Sequence, residues 1–358
     1  MARPRQSLPD EWLGLDPQDM AERIRAHRGR LGDDLLILGH HYQKDEVIEH
    51  ADHSGDSYGL AQVAAQSRAR WIVFCGVEFM ADSARLLARD DQVVIHPDTS
   101  AGCPMADMAE RTGTERAWRE LGEALGGTQG VLPVTYVNSD VETKAFTGRH
   151  GGIVCTSSNA ARVFDWALGR ADKLFFFPDE HLGRNTAFAK GFHGPDVLLW
   201  NPALPMGGHD PAELQRARVL LWKGFCHVHT HFTTAMIQQA READPDVKVV
   251  VHPECERQVV AAADAAGSTA FIIDWCAAQP AGSRIRVGTE LNLVQRLGRR
   301  HGDKEILPLD RSLCPNMWKI SPNDLLWVLD RLGEVNVVEV DAELRQDARV
   351  ALERMLAV

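Results

Sequence analysis

Short runs of β-forming apolar residues, each passing directly into a polar cluster, recur along most of this chain and constrain its fold more than any other feature. The clearest are LLIL (35–38), WIVFC (71–75), QVVI (92–95), VLPVTYV (131–137), GGIVC (151–155), KLFFF (173–177), VKVVV (247–251), TAFII (269–273) and RIRV (284–287). They are apolar without alternation, which is how a strand reads when helices cover both of its faces. The segments between them, such as SARLLARD and NAARVFDWALGRADK, carry apolar residues at helical spacing. Alternation of this kind predicts an α/β protein built on parallel sheets.

Composition narrows the function classes. The 358 residues exceed what one hydrophobic core usually holds, so two or three domains are expected. A hydrophobic fraction of 44% excludes disorder, and no unbroken apolar run approaches the roughly twenty residues of a membrane helix. The N-terminus has two arginines with no apolar stretch behind them, so no signal peptide is read and a cytoplasmic location is expected. A net charge of −11 argues against a nucleic-acid partner, which needs a basic face. Seven cysteines, an odd number, do not form a disulfide framework in a reducing compartment, which leaves metal ligation or nucleophilic chemistry for any functional thiol.

A weak internal repeat is visible in the strand ends. Cys75 and His96 close two successive apolar runs, and Cys155 with Phe177, and His252 with Asp274, do so at nearly the same separation. Three related βα modules of roughly 90–120 residues are therefore expected. The boundaries read as 1–107 for a first α/β domain with an N-terminal helix, 108–222 for a second, 223–317 for a third, and 318–358 for a helical tail. Within the second, the Pro- and Gly-rich stretch 192–216 reads as an inserted loop with a short helix.

The chemistry lies where the apolar runs stop. LLIL leads into Gly39-His40-His41-Tyr42, VLPVT into Tyr136-Val137-Asn138, GGIV into Cys155-Thr156-Ser157, and VVV into His252-Pro253-Glu254-Cys255. Open parallel sheets bind ligands at the carboxyl ends of their strands, next to helix N-termini. Three hydroxyl-bearing corners, at Ser57, Ser157 and Ser268-Thr269, suit several carboxylate or phosphate groups, although each alone reads as ordinary capping. Cys75, Cys155 and Cys276 end apolar runs and read as packing residues, whereas Cys103, Cys226 and Cys314 sit in turn-like contexts without any CxxC pair. A competing picture comes from His227, His229 and His231, which on a strand would share one face and, with His40, His41 and His252, resemble the zinc site of amidohydrolase-type enzymes.

Taken in order, the strings GHHYQKDEVIEHADHSGDS, IVFCGVEFMADSARLL, AGCPMADM, YVNSDVETKA, CTSSNA, FPDEHLGRN, GFCHVH, HPEC, GST, VGTE and CPNM resemble the quinolinate synthase family. The resemblance implies three α/β domains, related by a pseudo-threefold and each an αβα sandwich on a parallel sheet, around a central [4Fe–4S] cluster held by Cys103, Cys226 and Cys314. It implies condensation of iminoaspartate with dihydroxyacetone phosphate to quinolinate, with release of phosphate and water, in NAD biosynthesis, and a functional link to the enzyme supplying iminoaspartate. Substrate-binding positions fall on His40, Ser57, Tyr136, Asn138, Ser157, His252, Glu254 and Thr269. Tyr42, Tyr136, His229 and Glu254 match the proton-transferring positions, with Glu254 expected as main base and its pKa raised by a closed site. The 192–216 stretch and the histidines His227 and His231 depart from the family's pattern.

Overall fold

The computed structural model describes residues 8–358. Its contacts divide into two compact units, the chain up to Cys103 together with Leu313–Asp341, and Pro104–Ser312 together with Ala342–Val358.

The first unit carries a sheet of β1 (Leu35–His40), β2 (His53–Gly55), β3 (Trp71–Cys75) and β4 (Val93–Ile95), in the order β2-β1-β3-β4. Every pairing within it is parallel. Side chains alternate faces along a strand, and both faces are covered here. Leu35, Ile37, Val73, Cys75 and Ile95 enter a core completed by Met20 and Ile24 of the helix Pro17–Leu31 and by Leu325, Leu326 and Leu329 of the helix Pro322–Asp330. Leu36, Leu38, Ile72, Phe74 and Val94, with the opposite parity, are buried as well. The unbroken apolar runs are explained by this double covering.

The second unit holds two sheets. One contains β5 (Val131–Tyr136), β6 (Ile153–Cys155), β7 (Lys173–Phe177), β8 (Val197–Trp200) and β9 (Val219–Trp222), ordered β6-β5-β7-β9-β8. The other contains β10 (Lys248–Val251), β11 (Ala265–Ala266), β12 (Arg284–Gly288) and β13 (Glu305–Pro308), ordered β11-β10-β12-β13. All pairings are again parallel. Leaving out β8, the three sheets share one strand order, with the first strand flanked by the second and third and the fourth next to the third. The protein is thus α/β with three parallel sheets flanked by helices, as the apolar runs predict.

Three local expectations are corrected. TAFII is not a strand: Thr269–Ala278 is a helix whose N-cap, Ser268, accepts from the Phe271 amide, with Thr269, Ile272 and Cys276 on its buried face. A capped N-terminus and helical spacing of buried residues override the β-propensity of the run, so Asp274 closes no strand. The 192–216 stretch does contain a short helix, Pro211–Arg216, but it also contributes β8, an edge strand paired with β9. Finally, His227–Thr230 is a single helical turn rather than a strand, which scatters the three alternating histidines.

The helix Ala342–Leu356 closes the second unit against the helix Val141–Arg149. The approach requires glycine at 148, where a Cβ would overlap the Asp347 carbonyl. Among the described residues no helix is long and apolar enough to cross a membrane.

Candidate active site

The three sheets present matching corners. In the first unit, His40 ends β1 opposite Gly55 of β2, and His41 donates its amide to the Gly55 carbonyl at 3.0 Å. The chain then turns into the helix Ser57–Gln66, capped by Asp56. In the second unit Tyr136 ends β5 opposite Cys155, Val137 donates to the Cys155 carbonyl at 2.8 Å, and Thr156-Ser157-Ser158 follow. In the third sheet Val251 of β10 faces Ala266, and the Gly267 amide donates to the Val251 carbonyl at 3.1 Å just before Ser268 and Thr269. Ser57, Ser157 and Thr269 therefore occupy equivalent places, each at or just before a helix N-terminus beside the end of its sheet's first strand. Carboxylates and phosphates are bound well at such places.

Within the first unit, His40 and Tyr42 form a buried pair, with ring centroids 4.7 Å apart and edge-on, and the Tyr42 amide donates to His40 Nδ1 at 3.1 Å. That bond makes Nδ1 an acceptor and leaves Nε2 as the protonated nitrogen of a neutral ring.

In the second unit the structure brings together Tyr136, His229, His252 and Glu254, all but excluded from solvent. Tyr136 Oη donates to Glu254 Oε1 at 2.5 Å, and His229 Nδ1 lies 3.1 Å from Glu254 Oε2. His229 Nε2 reaches Thr289 Oγ1 at 3.2 Å, so the ring is fixed at both nitrogens. The rings of His229 and His252 stack at 4.1 Å with 16° between their planes. Asn138, on the turn after β5, keeps a buried Oδ1 without a hydrogen-bond partner, an acceptor left for a ligand.

Burial and the adjacent His229 push the His252 imidazole down to about 3, so it is neutral at physiological pH. Its Nδ1 accordingly accepts from the Glu254 amide at 3.4 Å, and its 3.6 Å approach to the Glu254 carboxylate is not an ion pair. Burial alone pushes the Glu254 carboxyl up. The facing His229 and the hydrogen bonds from His229 and Tyr136 outweigh it and bring the group down to about 2. The expectation of a raised Glu254 pKa is thereby overturned: donors converge on both oxygens and stabilise the anion. A carboxyl that is raised beside it is Asp179, fully buried after β7, where desolvation and the neighbouring Glu254 charge act together. One of its oxygens caps the next helix through the Leu182 amide at 2.6 Å, and the other has no partner. Thr289 follows the apolar run RIRV as a polar strand-end residue, whereas Asp179 and Asn185 were not singled out from the sequence. Asp179 sits just past the apolar run KLFFF, so the strand-end rule would have found it.

Cys226 stands in the same place, its Sγ within 4.8 Å of ligand atoms of His229 and Glu254. The cysteines fall into two chemical groups. Cys75, Cys155, Cys255 and Cys276 are buried, and desolvation pushes all four thiols up, Cys75 and Cys276 to about 12. Such thiols are poor metal ligands, because the thiolate is the binding form. Cys103, Cys226 and Cys314 are only half-buried, and, with the edge strand β8 left out, each comes after the fourth strand of its sheet: β4, β9 and β13. Cys226 (φ −93°, ψ 118°) and Cys314 (φ −93°, ψ 106°) are both N-caps of a short helix with nearly the same backbone conformation. Thiols that keep some access to solvent can ionise and are chemically suited to bind iron. The zinc-site alternative fits less well: His227 is exposed, and His231 is exposed and paired with Asp310.

A family model described as "Quinolinate synthetase A protein" matches residues 22–357. Among curated relatives, a protein of Herpetosiphon aurantiacus named quinolinate synthase is 50% identical over 356 residues, covering 98% of this chain and 95% of that one. A quinolinate synthase of Corynebacterium glutamicum is 49% identical over 362 residues, with 99% and 92% covered. One of Bacillus cereus is 46% identical over 355 residues, with 98% and 96% covered.

Proposed function

This chain belongs to the quinolinate synthetase A family, and on that premise we propose that it condenses iminoaspartate with dihydroxyacetone phosphate to quinolinate, releasing phosphate and water, as a step of NAD biosynthesis. The observation that carries the reading is the buried Tyr136–Glu254–His229 array with the Cys226 thiol beside it.

In this reading Cys103, Cys226 and Cys314 ligate a [4Fe–4S] cluster. Three thiolates for four irons leave one iron open, which when the cluster is bound supplies a Lewis acid for a substrate carboxylate or a departing oxygen. The remaining work falls to the chain's own groups. Ser57, Ser157 and Thr269 offer hydroxyls and helix-terminal amides to two carboxylates and a phosphate. His40 and His252, neutral and donating from Nε2, bind the same anions without adding a charge. Asn138 Oδ1 accepts from a substrate N–H or O–H.

Condensation, isomerisation and dehydration each require a proton to move. Tyr136 Oη and His229 are the groups placed to pass one, with Tyr42 on the first unit. A carboxylate held near 2 is a weak base at neutral pH. Glu254 therefore acts mainly as the ionised anchor that orients the Tyr136 phenol and the His229 ring and balances the positive charge that arises on His229 when that ring takes up a proton. Enclosure strengthens these electrostatic contacts.

The test is anaerobic reconstitution with iron and sulfide, followed by incubation with both substrates. Wild type is expected to absorb broadly near ~400 nm from thiolate-to-iron charge transfer and to form quinolinate, detected by mass. Cys226→Ser is expected to lose both properties, and its retention of both would overturn the ligand assignment. Colour without quinolinate would identify a non-catalytic cluster protein. Glu254→Gln should keep the cluster and lose turnover.

A further inference from the structure

Asn185 lies on the helix Glu180–Ala189, between β7 and β8, and takes no part in the proposed chemistry. Its side-chain Nδ2 donates to the Pro253 carbonyl at 2.8 Å and to the Cys255 carbonyl at 2.9 Å. These are the carbonyls of the residues on either side of Glu254. The amide's orientation is dictated by its surroundings, since a flip would set Oδ1 against two carbonyl oxygens. Oδ1 itself is buried without a partner. A buried acceptor left unsatisfied carries a cost, which the two donor bonds oppose.

From this geometry we propose that Asn185 is a positioning residue for Glu254, holding the loop after β10 in register with the Tyr136 phenol. The Pro253 carbonyl belongs to the peptide plane that enters Glu254 and the Cys255 carbonyl to the plane one residue beyond it, so the two bonds brace the backbone on both sides of Glu254 and hence where its carboxylate meets Tyr136 Oη and His229 Nδ1. Tyr136 comes from the sheet on which the Asn185 helix is seated, whereas Glu254 comes after a strand of the other sheet. The helix is anchored closely on its own sheet: a Cβ at Gly183 would lie 2.6 Å from Leu221 Cδ2 and 2.8 Å from Phe176 Cδ1. A second tie runs the same way, with the Arg257 guanidinium 5.2 Å from the Phe188 ring centroid. Asn185 thus connects the scaffold of the phenol to the loop of the carboxylate, and a displacement of about 1 Å between such groups can lower a rate ~100-fold.

The inference rests on the proposed catalytic function, so its test has one readout that does not depend on turnover. Asn185→Asp is nearly isosteric, removes both donors and faces the two carbonyls with a carboxylate. Hydrogen exchange of a peptide covering 252–256 is expected to quicken at least ~10-fold in this variant, while peptides of the helix Glu180–Ala189 stay protected. With cluster-loaded enzyme, kcat should fall ~10-fold or more with KM little changed. In the Glu254→Gln background the same substitution should reduce the residual single-turnover rate by less than twofold, because the residue it positions is already disabled. Unchanged exchange in the loop would overturn the inference, as would multiplicative effects of the two substitutions. If wild type forms no quinolinate, the catalytic function fails while the exchange result still decides the positioning. Should Asn185→Asp not fold, Asn185→Ser, which retains one donor, carries the same measurements.

Discussion

Replacing His252 with glutamine isolates the contribution of one buried imidazole to acid stability. In the unfolded chain a histidine titrates near its ordinary 6.5, whereas burial and His229 hold His252 near 3 in the folded protein. Between those values the unfolded chain binds a proton that the folded chain excludes, so stability falls as the pH drops from about 6.5 toward 3. At pH 5 the unfolded imidazole is about 1.5 pH units below its midpoint, and at 1.36 kcal/mol per unit the loss relative to pH 7 is about 2 kcal/mol. Glu254 acts in a lower window. Its folded value near 2 lies below the ordinary 4.5, so its contribution is present above 4.5 and disappears as the pH falls toward 2. Measurement at pH 5 therefore samples His252 almost alone of the two. Glutamine keeps a side-chain N–H but does not titrate. Urea unfolding of both proteins at pH 7 and pH 5, followed by tryptophan fluorescence in the presence of chelator, should show wild type losing about 2 kcal/mol more than His252→Gln. Equal losses would refute a neutral, desolvated His252, and with it the assignment of Nε2 as a permanent donor.

Other consequences are testable in the same way. Gly148→Ala forces a methyl against the Asp347 carbonyl and should destabilise the second unit by about 1–3 kcal/mol; an unchanged urea midpoint would mean that the helix Ala342–Leu356 shifts without penalty. Tyr136→Phe removes the donor to the buried Glu254 Oε1, so it is expected to lower turnover about 100-fold while lowering stability by about 1–3 kcal/mol, and wild-type turnover would remove the phenol from proton transfer. Alkylation of cluster-free protein at neutral pH should modify Cys103, Cys226 and Cys314 well before the buried Cys75, Cys155, Cys255 and Cys276. Peptide mapping that found the buried four reacting first would contradict their desolvation.

Much of the fold and part of the site are legible in the sequence, for reasons that particular residues show. LLIL, WIVF and KLFFF announce doubly covered strands because burial on both faces leaves no position for a polar side chain. A strand's carboxyl end is also where a parallel sheet opens toward a ligand, so His40, Tyr136 and His252 stand out as the polar residues that interrupt an apolar run. TAFII carries the same apolar signal, yet Ser268 caps it into a helix, and nothing in the run separates the two outcomes. VLLW at 197–200 is equally apolar but lies among prolines and glycines, and becomes a strand only because β9 offers it an edge. The histidines at 227, 229 and 231 alternate in the sequence, but a helical turn buries His229 and leaves the other two exposed.

The parallel α/β architecture, the kinship with quinolinate synthases and the strand-end positions from which a site can be built are all readable before the chain folds. These depend on local pattern and on ordered motifs, which the chain carries whether or not it is folded. Folding is what holds Glu254 as an anion, pushes the neighbouring Asp179 carboxyl up, withdraws four of the seven thiols and lets Asn185 grip the loop of a neighbouring sheet. A carboxyl's charge is set by the donors and the solvent around it, and those neighbours come from distant parts of the chain, as with Tyr136 and Glu254, 118 residues apart.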